Sequence, residues 1–423
     1  MFLFLRFLRN LSILCLRCVN ALIPKPGNAI LFIPHQNCLY DHYDILNYHS
    51  DNVLTLLHFV ICNEAYSDWK LNIVYYHQEK LGDYINFCKD KNLDRINFIL
   101  YTSSFDFFKA FCKSKFVFTD NYYHPIRYKT KKQTAICLGY YAAPFKDDFF
   151  KIELRGYKES IHTNKVMNES FDYHISTSDM CSRLLSLDSL IYLPKFLSLG
   201  FPRNDILYQS GESLRQLFMK TIGQSPRKII CYAPTHRDFE EHDNKLHDEK
   251  FVGRRTIFGS PAPSYETALN DVLEKNDAII IAKLHPKQER SVIIDGSCSR
   301  VVLYSELVKK YPFCLQDILL ISDVLITDYS STFFDFLHTD RPILYYFYDV
   351  EKVYENRGFF INPITPMCAG EVAYTMDELV KLLDDVLNGT DHAAVKRHFV
   401  HDMVNSCQDG KSSERIANYF LKQ

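Results

Sequence analysis

Short apolar runs separated by mixed polar segments recur along most of the chain, and this pattern limits the possible folds more than any other feature. Such runs are typical of buried strands, and the segments between them indicate βα units with mostly parallel sheets. In the first half the predicted strands are Ala29–Pro34, Val53–Val60, Leu71–Tyr76, Ile96–Tyr101, Lys115–Thr119 and Thr134–Leu138. In the second half they are Lys228–Tyr232, Ala278–Lys283, Val301–Leu303, Val324–Thr327 and Ile343–Phe347. The predicted fold class is therefore α/β.

The chain is long enough for two domains of ordinary size, because it has 423 residues, of which 47% are apolar. The stretch near Phe201 to Ser225 contains Gly, Pro and polar residues and separates the two sets of strands. We therefore predict domains over 25–205 and 206–423 that face each other across a cleft. Ligands are expected at the C-terminal ends of the strands.

The charge and cysteine content exclude some classes of partner and compartment. The formal net charge of −2 gives no electrostatic support for a nucleic-acid partner. The thirteen cysteines follow no framework of spacings, and an odd number spread over a long chain indicates reduced thiols in the cytoplasm.

The N-terminal segment is strongly apolar but is interrupted by polar side chains. A bilayer-spanning helix needs about 20 nearly uncharged residues, and a secretory signal needs an uninterrupted apolar core. We therefore predict an amphipathic helix over 1–24 that lies on a membrane surface. The alternative is a helix that packs on its own domain. The polar residues, which share one narrow arc of the helix, are Arg6, Arg9, Asn10, Arg17 and Asn20.

Polar residues follow three strands of the second half at the point where each strand ends. Asp328, Ser330 and Ser331 lie between a predicted strand and a predicted helix, where free backbone N–H groups and the helix dipole favour a phosphate. If the three strands are neighbours in a parallel sheet, their polar residues converge on one edge. The residues that would converge are Thr235, Arg237, Lys283, His285, Ser330 and Ser331.

This set offers what displacement at a diphosphate requires. Cations and N–H groups neutralise the leaving phosphate, and an imidazole moves a proton. Each element alone is also compatible with a structural strand end or a plain helix cap, and only the combination favours a ligand site.

At these residues the chain resembles the CDP-glycerol glycerophosphotransferases of teichoic acid and capsule synthesis. The resemblance extends from about Lys115 to the C-terminus and is most specific from Gly200 to Gly358. The matching segments are Gly200–Asp205, Tyr232–Arg237, Lys283–Pro286, Ser322–Ser331, Asp335–Phe336, Arg341–Ile343, Tyr348–Asp349, Arg357–Phe359 and Asp409–Arg415.

The resemblance implies a GT-B architecture of two Rossmann-like domains, a CDP-polyol donor, no cofactor or bound metal, and peripheral attachment to the cytoplasmic face of the plasma membrane. It also implies roles for individual residues. Arg203, Thr235 and Arg237 would line the donor cleft, and Lys283 and His285 would hold the pyrophosphate, with His285 protonating or polarising the leaving CMP. Ser330 and Ser331 would bind phosphate. Asp335 would contact the donor, brace the serine turn, or pair with Arg341.

One departure from the family pattern concerns the proton acceptor. The family carries a histidine at the end of a first-domain strand, thought to act as base on the acceptor hydroxyl, and Leu138 occupies that position here. Leucine cannot take a proton, so either another group serves, the mechanism differs, or the activity is lost. His35 and His124 are candidate bases because each follows or lies near a first-domain strand.

We therefore predict an enzyme that transfers a polyol phosphate, first of all glycerol phosphate, from a CDP-polyol to a hydroxyl of a cell-surface polymer or glycolipid, releasing CMP. The identity of the polyol and of the acceptor stays open. One alternative is a GT-B glycosyltransferase that uses a nucleotide sugar. The other is a non-catalytic homologue that binds the donor without turnover, because the first-domain histidine is replaced.

Overall fold

The structure is a computed structural model, and it describes residues 2–34, 51–90, 93–120, 124–139, 168–235, 257–258, 264–284, 300–356 and 358–422. The described residues divide into two compact units. The first contains those up to Asp205 together with those from Asp409 onward, and the second contains those between Ile206 and Gln408. Each unit is built around its own parallel sheet.

The first unit has a parallel sheet of seven described strands, ordered β3-β2-β1-β4-β5-β6-β7. Its apolar strands are buried, as a sheet covered on both faces requires. The strands are β1 (Ala29–Ile33), β2 (Lys70–Tyr75), β3 (Ile96–Leu100), β4 (Phe116–Thr119), β5 (Thr134–Cys137), β6 (Tyr173–Ser176) and β7 (Phe196–Ser198). The helices between them are α1 (Phe2–Leu22), α2 (Asn52–Cys62), α3 (Leu81–Asp90), α4 (Ser104–Lys113) and α5 (Asp179–Ser189).

The second unit has a parallel sheet of six described strands, ordered β10-β9-β8-β11-β12-β13. Its strands are β8 (Lys228–Ala233), β9 (Ala278–Ala282), β10 (Val301–Leu303), β11 (Val324–Thr327), β12 (Ile343–Tyr346) and β13 (Glu371–Ala373). The helices are α6 (Glu212–Ile222), α7 (Ser264–Lys275), α8 (Tyr304–Lys310), α9 (Leu315–Ile321), α10 (Thr332–Phe336), α11 (Val350–Asn356), α12 (Met376–Leu387) and α13 (Ala394–Val404). Both units therefore have the predicted α/β architecture.

The start of α12 is a capping box. The Thr375 hydroxyl accepts from the backbone N–H of Glu378, and the Glu378 carboxylate accepts from the backbone N–H of Thr375. This reciprocal pair satisfies N–H groups that a helix start otherwise leaves without partners. Leu379, Leu383 and Leu387 then bury one face of the helix in the core of the second unit.

The predicted strand Val53–Val60 is wrong, because this segment lies in α2. Apolar periodicity cannot distinguish a short buried helix from a buried strand. The deciding signal is Asp51, whose carboxylate accepts from the backbone N–H of Leu54 and caps the helix. Three strands were not predicted: β6, β7 and β13 are each only three or four residues long and contain polar residues.

The C-terminal helix α14 (Ser412–Leu421) belongs to the first unit, although the predicted second domain included it. The Asp205 carboxylate accepts from the backbone N–H groups of Ser412 and Ser413, both at 2.8 Å, and so caps the helix. Phe420 packs its ring edge-on against Phe118 of β4 at 5.9 Å. The helix α14 therefore belongs to the first unit because of its apolar burial and this long-range cap, although it follows the second unit in the sequence.

Two residues of the polar arc of α1 contact the first unit. This agrees with the alternative interpretation, in which the helix packs on its own domain. Arg17 donates from Nε to the carbonyl oxygen of Arg127 at 2.5 Å. The buried Asn20 amide donates to the carbonyl oxygen of Tyr128 and to Gln133 Oε1, both at 2.7 Å. The side chains of Arg6, Arg9 and Asn10 lie outside the described part of the structure.

The helix α1 also exposes apolar residues. Leu14, Val19 and Leu22 are 57%, 46% and 84% exposed. Within the described residues, no helix combines the length and apolar character needed to span a membrane.

Candidate functional site

Three neighbouring strands of the second unit end at the same edge of the sheet. β9 and β11 lie on either side of β8, and all three run parallel. The backbone N–H of Lys283, just after β9, donates to the carbonyl oxygen of Tyr232 in β8 at 2.8 Å. Thr235, Lys283 and Ser330, which follow these three strands, therefore lie at the same edge of the sheet.

Asp328 links the ends of β8 and β11. Its Oδ1 accepts from the backbone N–H of Thr235 at 2.7 Å and from that of Ser330 at 3.1 Å. The hydroxyl of Thr327 also donates to the carbonyl oxygen of Ala233 at 2.8 Å. These bonds fix the distance between the Thr235 and Ser330 backbones. The sequence predicts a functional turn at Asp328, Ser330 and Ser331, but it does not predict this bracing role of Asp328.

The serine turn opens directly into α10, as predicted. Ser330 Oγ lies 3.0 Å from Thr332 Oγ1, and Ser331 is the residue before the helix. Both serines are partly exposed. The helix has only five residues, so its dipole is short and the backbone N–H groups and hydroxyls are the main resource for an anion.

The aromatic ring before the serines anchors the turn in the core. Tyr329 is buried, with its ring 4.7 Å from that of Phe347 and 5.0 Å from that of Phe359. Its hydroxyl donates to Asp349 Oδ1 at 3.3 Å. These segments match the family pattern and are far apart in the sequence. In the structure they pack together beneath this turn.

Asp335 is buried one helical turn after the serines. Arg341, its suggested partner, donates to the carbonyl oxygens of Leu320 and Ser322 at 2.6 and 2.7 Å. The position of Asp335 suits bracing of the turn. Among the described residues, no group of three or more His, Cys, Asp or Glu side chains is placed to hold a metal ion.

Arg203 lies in the first unit, whereas the other described site residues lie in the second. Its guanidinium carbon is 4.9 Å from the ring centroid of Phe201, and its backbone N–H donates to Asn52 Oδ1 at 3.1 Å. The remaining predicted site residues, His35, Arg237 and His285, lie outside the described residues. His124 begins a short 3₁₀ helix, His124–Tyr128, and its side chain is likewise outside the described part.

The Gly200–Asp205 and Asp409–Arg415 segments contact each other in the first unit. Arg415 donates from Nε to the carbonyl oxygen of Leu199 at 3.0 Å and forms an ion pair with Asp409 at 2.7 Å. Gly200 has φ +81°, and a Cβ there would lie 2.5 Å from Ser412 Oγ. Together with the Asp205 cap, these contacts give both segments a structural role.

Comparison with known proteins decides the family. The profile described as CDP-glycerol:poly(glycerophosphate) glycerophosphotransferase matches residues 43–422. The chain belongs to this family. The match confirms the predicted family and the predicted reaction class, transfer of polyol phosphate from a CDP-polyol by an enzyme.

Curated relatives have names consistent with that class. The chain is 26% identical over 310 residues to the teichoic acid glycerol-phosphate primase of Bacillus subtilis (strain 168), covering 72% of this chain and 73% of that protein. It is 27% identical over 311 residues to the teichoic acid ribitol-phosphate primase of Bacillus spizizenii, covering 71% and 73%. Relatives for two different polyols therefore match almost equally well.

Solved structures confirm the fold. The chain superimposes on the wall teichoic acid polymerase TagF with a TM-score of 0.72 at 20% identity, covering 99% of this chain and 96% of that one. UDP-GlcNAc 2-epimerase from Neisseria meningitidis gives a TM-score of 0.51 at 11% identity, covering 94% and 100%. The two-sheet architecture is thus shared with proteins of different chemistry, and the fold alone does not select the donor.

Proposed function

We propose that this enzyme transfers glycerol phosphate or ribitol phosphate from the CDP-activated donor to a hydroxyl of a cell-surface polymer or glycolipid, with release of CMP. The observation that supports this most strongly is the bracing of the β8 and β11 ends by Asp328, beside the end of β9. It fixes the serine turn, with its hydroxyls and the helix start that follows, at the edge of the sheet where Lys283 also follows its strand, and this combination suits a diphosphate.

In the proposed reaction the second unit binds the donor. Lys283 and the Ser330–Ser331 turn stabilise the charge that develops on the departing CMP phosphate. His285 protonates or polarises the same phosphate, while Thr235 and Arg237 contact the donor. Asp335 supports the turn. Arg203 is proposed to bind the donor.

We expect His285→Ala to lower CMP release by about 100-fold, because a positioned acid or base contributes at least that much. The measurement is CMP release from CDP-glycerol and from CDP-ribitol, with a polymer or lipid-linked acceptor supplied. His392→Ala is the control, because His392 is an exposed histidine of the same unit outside the proposed site. Unchanged release by His285→Ala would remove this histidine from the mechanism.

A donor screen tests the two alternatives in parallel. A ligand that binds the folded state raises the melting temperature, so CDP-glycerol or CDP-ribitol should stabilise the protein more than UDP- or GDP-sugars do. Stronger stabilisation by a nucleotide sugar would favour a glycosyltransferase. Stabilisation by a CDP-polyol without CMP release would favour a non-catalytic homologue.

We also propose that the enzyme is peripheral to the cytoplasmic face of the plasma membrane, with the exposed apolar side of α1 against the lipid. Arg17 and Asn20 bind the protein, whereas the side chains of Leu14, Val19 and Leu22 are exposed and available to a bilayer. The exposed Lys131 and Lys132, next to Gln133, add attraction to anionic lipids.

Replacing Leu14, Val19 and Leu22 together by Gln should move the protein from vesicles of anionic phospholipid to the supernatant in a sedimentation assay, because exposed apolar area drives interfacial binding. The same loss is expected when residues 1–23 are deleted. A matched control is Val395→Gln with Phe399→Gln, which removes exposed apolar area from α13 of the second unit. Persistent vesicle binding by the α1 variant would assign the membrane contact to another surface.

A further inference from the structure

A pair of buried carboxyl groups lies at the carboxyl edge of the first unit's sheet. Asp120 is the first residue after β4 and is 5% exposed, and Asp51 caps α2 and is 6% exposed. The charge of Asp51 acts on Asp120. The negative charge of Asp51 therefore disfavours ionisation of the Asp120 carboxyl.

Asn52 holds Asp120 beside the end of β5. The Asn52 backbone N–H donates to Asp120 Oδ2 at 3.1 Å. The Asn52 side chain donates to the carbonyl oxygens of Leu138 and Gly139 at 3.3 and 2.8 Å, and its Oδ1 accepts from the backbone N–H of Arg203. Asp120 therefore lies next to the position where the family pattern places a base and this chain has leucine.

The other oxygen of Asp120 has no hydrogen-bond partner among the described residues, although it is buried. A buried polar atom without a partner is costly and rare, and such atoms concentrate where chemistry needs them. Within the part of the chain that the structure describes, the ionisable groups that face Asp120 are Asp51 from α2, Arg203 from the segment after β7, and Cys137 from β5. None of these satisfies Oδ1 with a hydrogen bond.

The electrostatics of the cluster match the needs of a base. Burial, followed by the charge of Asp51, raises the pKa of the Asp120 carboxyl well above its usual value, while the charge of Arg203 and the backbone N–H groups of Asn52 and Val53 lower it. A carboxylate is a more effective base when its pKa is brought toward the working pH.

We propose that Asp120 is the catalytic base that accepts the proton of the acceptor hydroxyl, an inference that rests on the proposed function. The hydroxyl oxygen attacks the donor phosphorus next to the polyol as its proton moves to Asp120 Oδ1. A new O–P bond forms, and the bond from that phosphorus to the CMP oxygen breaks, with the electron pair leaving on CMP. The proton then passes from Asp120 to solvent, which restores the carboxylate.

The first test is Asp120→Asn in the full chain. We expect CMP release to fall by about 100-fold to 1000-fold, because the amide cannot take a proton. Donor binding, measured by calorimetry with CDP-glycerol, should stay unchanged. Asp188→Asn is the control, since Asp188 is a fully buried carboxyl group of the same unit within α5.

The pH dependence of CMP release distinguishes a catalytic base from a carboxyl group that has only a structural role. Release should rise with pH as Asp120 ionises. Asp51→Asn removes a negative charge and keeps a good helix cap, so the acid limb should move to lower pH. Arg203→Gln removes a positive charge, so the acid limb should move to higher pH. Opposite shifts support the proposal, and profiles that move together or not at all overturn it.

Thermal stability gives a readout that does not depend on turnover. An aspartate with a raised folded-state pKa stabilises the fold while protonated and loses that contribution as pH rises through the folded-state pKa. The melting temperature of Asp120→Asn should therefore exceed that of the wild type, and the difference should grow as pH is raised. A variant that is both less stable and less active at every pH would indicate a structural role and overturn the proposal.

CMP release by the wild type distinguishes failure of the proposed function from failure of the inference about Asp120. Wild-type protein that releases no CMP from either donor overturns the proposed function and this inference with it. Wild-type release that Asp120→Asn retains overturns only the inference and leaves the transferase reaction in place.

Discussion

Gly370→Ala is expected to destabilise the second unit by about 4 kcal/mol or more. A Cβ on Gly370 would lie 1.8 Å from the carbonyl oxygen of Ile343 and 2.7 Å from its carbonyl carbon. Both are backbone atoms at the start of β12, which pairs with β13 immediately after the glycine. No side-chain rotation relieves such an overlap, so the strand pairing itself must open.

Scanning calorimetry of the full chain should show this loss as a transition lowered by about 10 °C, since 1 kcal/mol corresponds to roughly 2–4 °C in a unit of this size. Gly82→Ala is the matched control. Gly82 lies within α3, and a Cβ there would meet no atom within 4 Å. Alanine should stabilise that helix by about 0.5–1 kcal/mol. A Gly370→Ala protein that melts with the wild type would contradict the packing of β13 on β12.

Asp328→Ala is expected to cost about 3–5 kcal/mol of stability and to lower CMP release by about 1000-fold. Two backbone N–H groups, of Thr235 and Ser330, lose a buried charged acceptor, and each such bond contributes roughly 1.5–3 kcal/mol. The ends of β8 and β11 are then no longer held together. The serine turn, with its hydroxyls and the helix-start N–H groups that follow, is then displaced from the developing charge, and loss of such donors lowers the rate by about 100-fold to 1000-fold.

Two variants separate these effects. Asp328→Asn keeps an oxygen at Oδ1, which both N–H groups use, so most of the stability should return. Asp323→Ala removes a similar acceptor at the other end of β11, where Asp323 Oδ2 binds the Ile229 N–H at 2.8 Å and Arg215 at 3.1 Å. It should lower stability but leave CMP release per folded molecule unchanged. Equal loss of release in Asp323→Ala and Asp328→Ala would show that the effect is global unfolding.

Local sequence signals predicted most strands of both sheets to within one or two residues, because these strands are nearly continuous apolar runs bounded by turns. The one helix taken for a strand, α2, has the same apolar character, and only the Asp51 cap distinguishes it. The strands that were missed, such as β7 (Phe196–Ser198), are short and half-buried, and they form only because longer neighbours offer them free backbone groups.

The residues of the candidate site also divide into those that the sequence predicts and those that only the structure brings together. Thr235, Lys283 and Ser330 could be named from the sequence because polar residues directly after apolar strands are visible in one dimension. Asn52 and Asp120 could not, since they are separated by 68 residues and contact each other only when β1, β4 and β5 lie side by side.

By itself the sequence determined the α/β class and the family, and it named the edge of the second sheet where we propose that phosphate binds. These depend on local periodicity and on motifs that remain contiguous in the chain. Only the tertiary structure decided that α14 completes the first unit, that the polar arc of α1 binds protein, and that a buried carboxyl pair lies beside Leu138. Each of these results from burial and hydrogen bonding between distant segments, whose free energy depends on the packed environment.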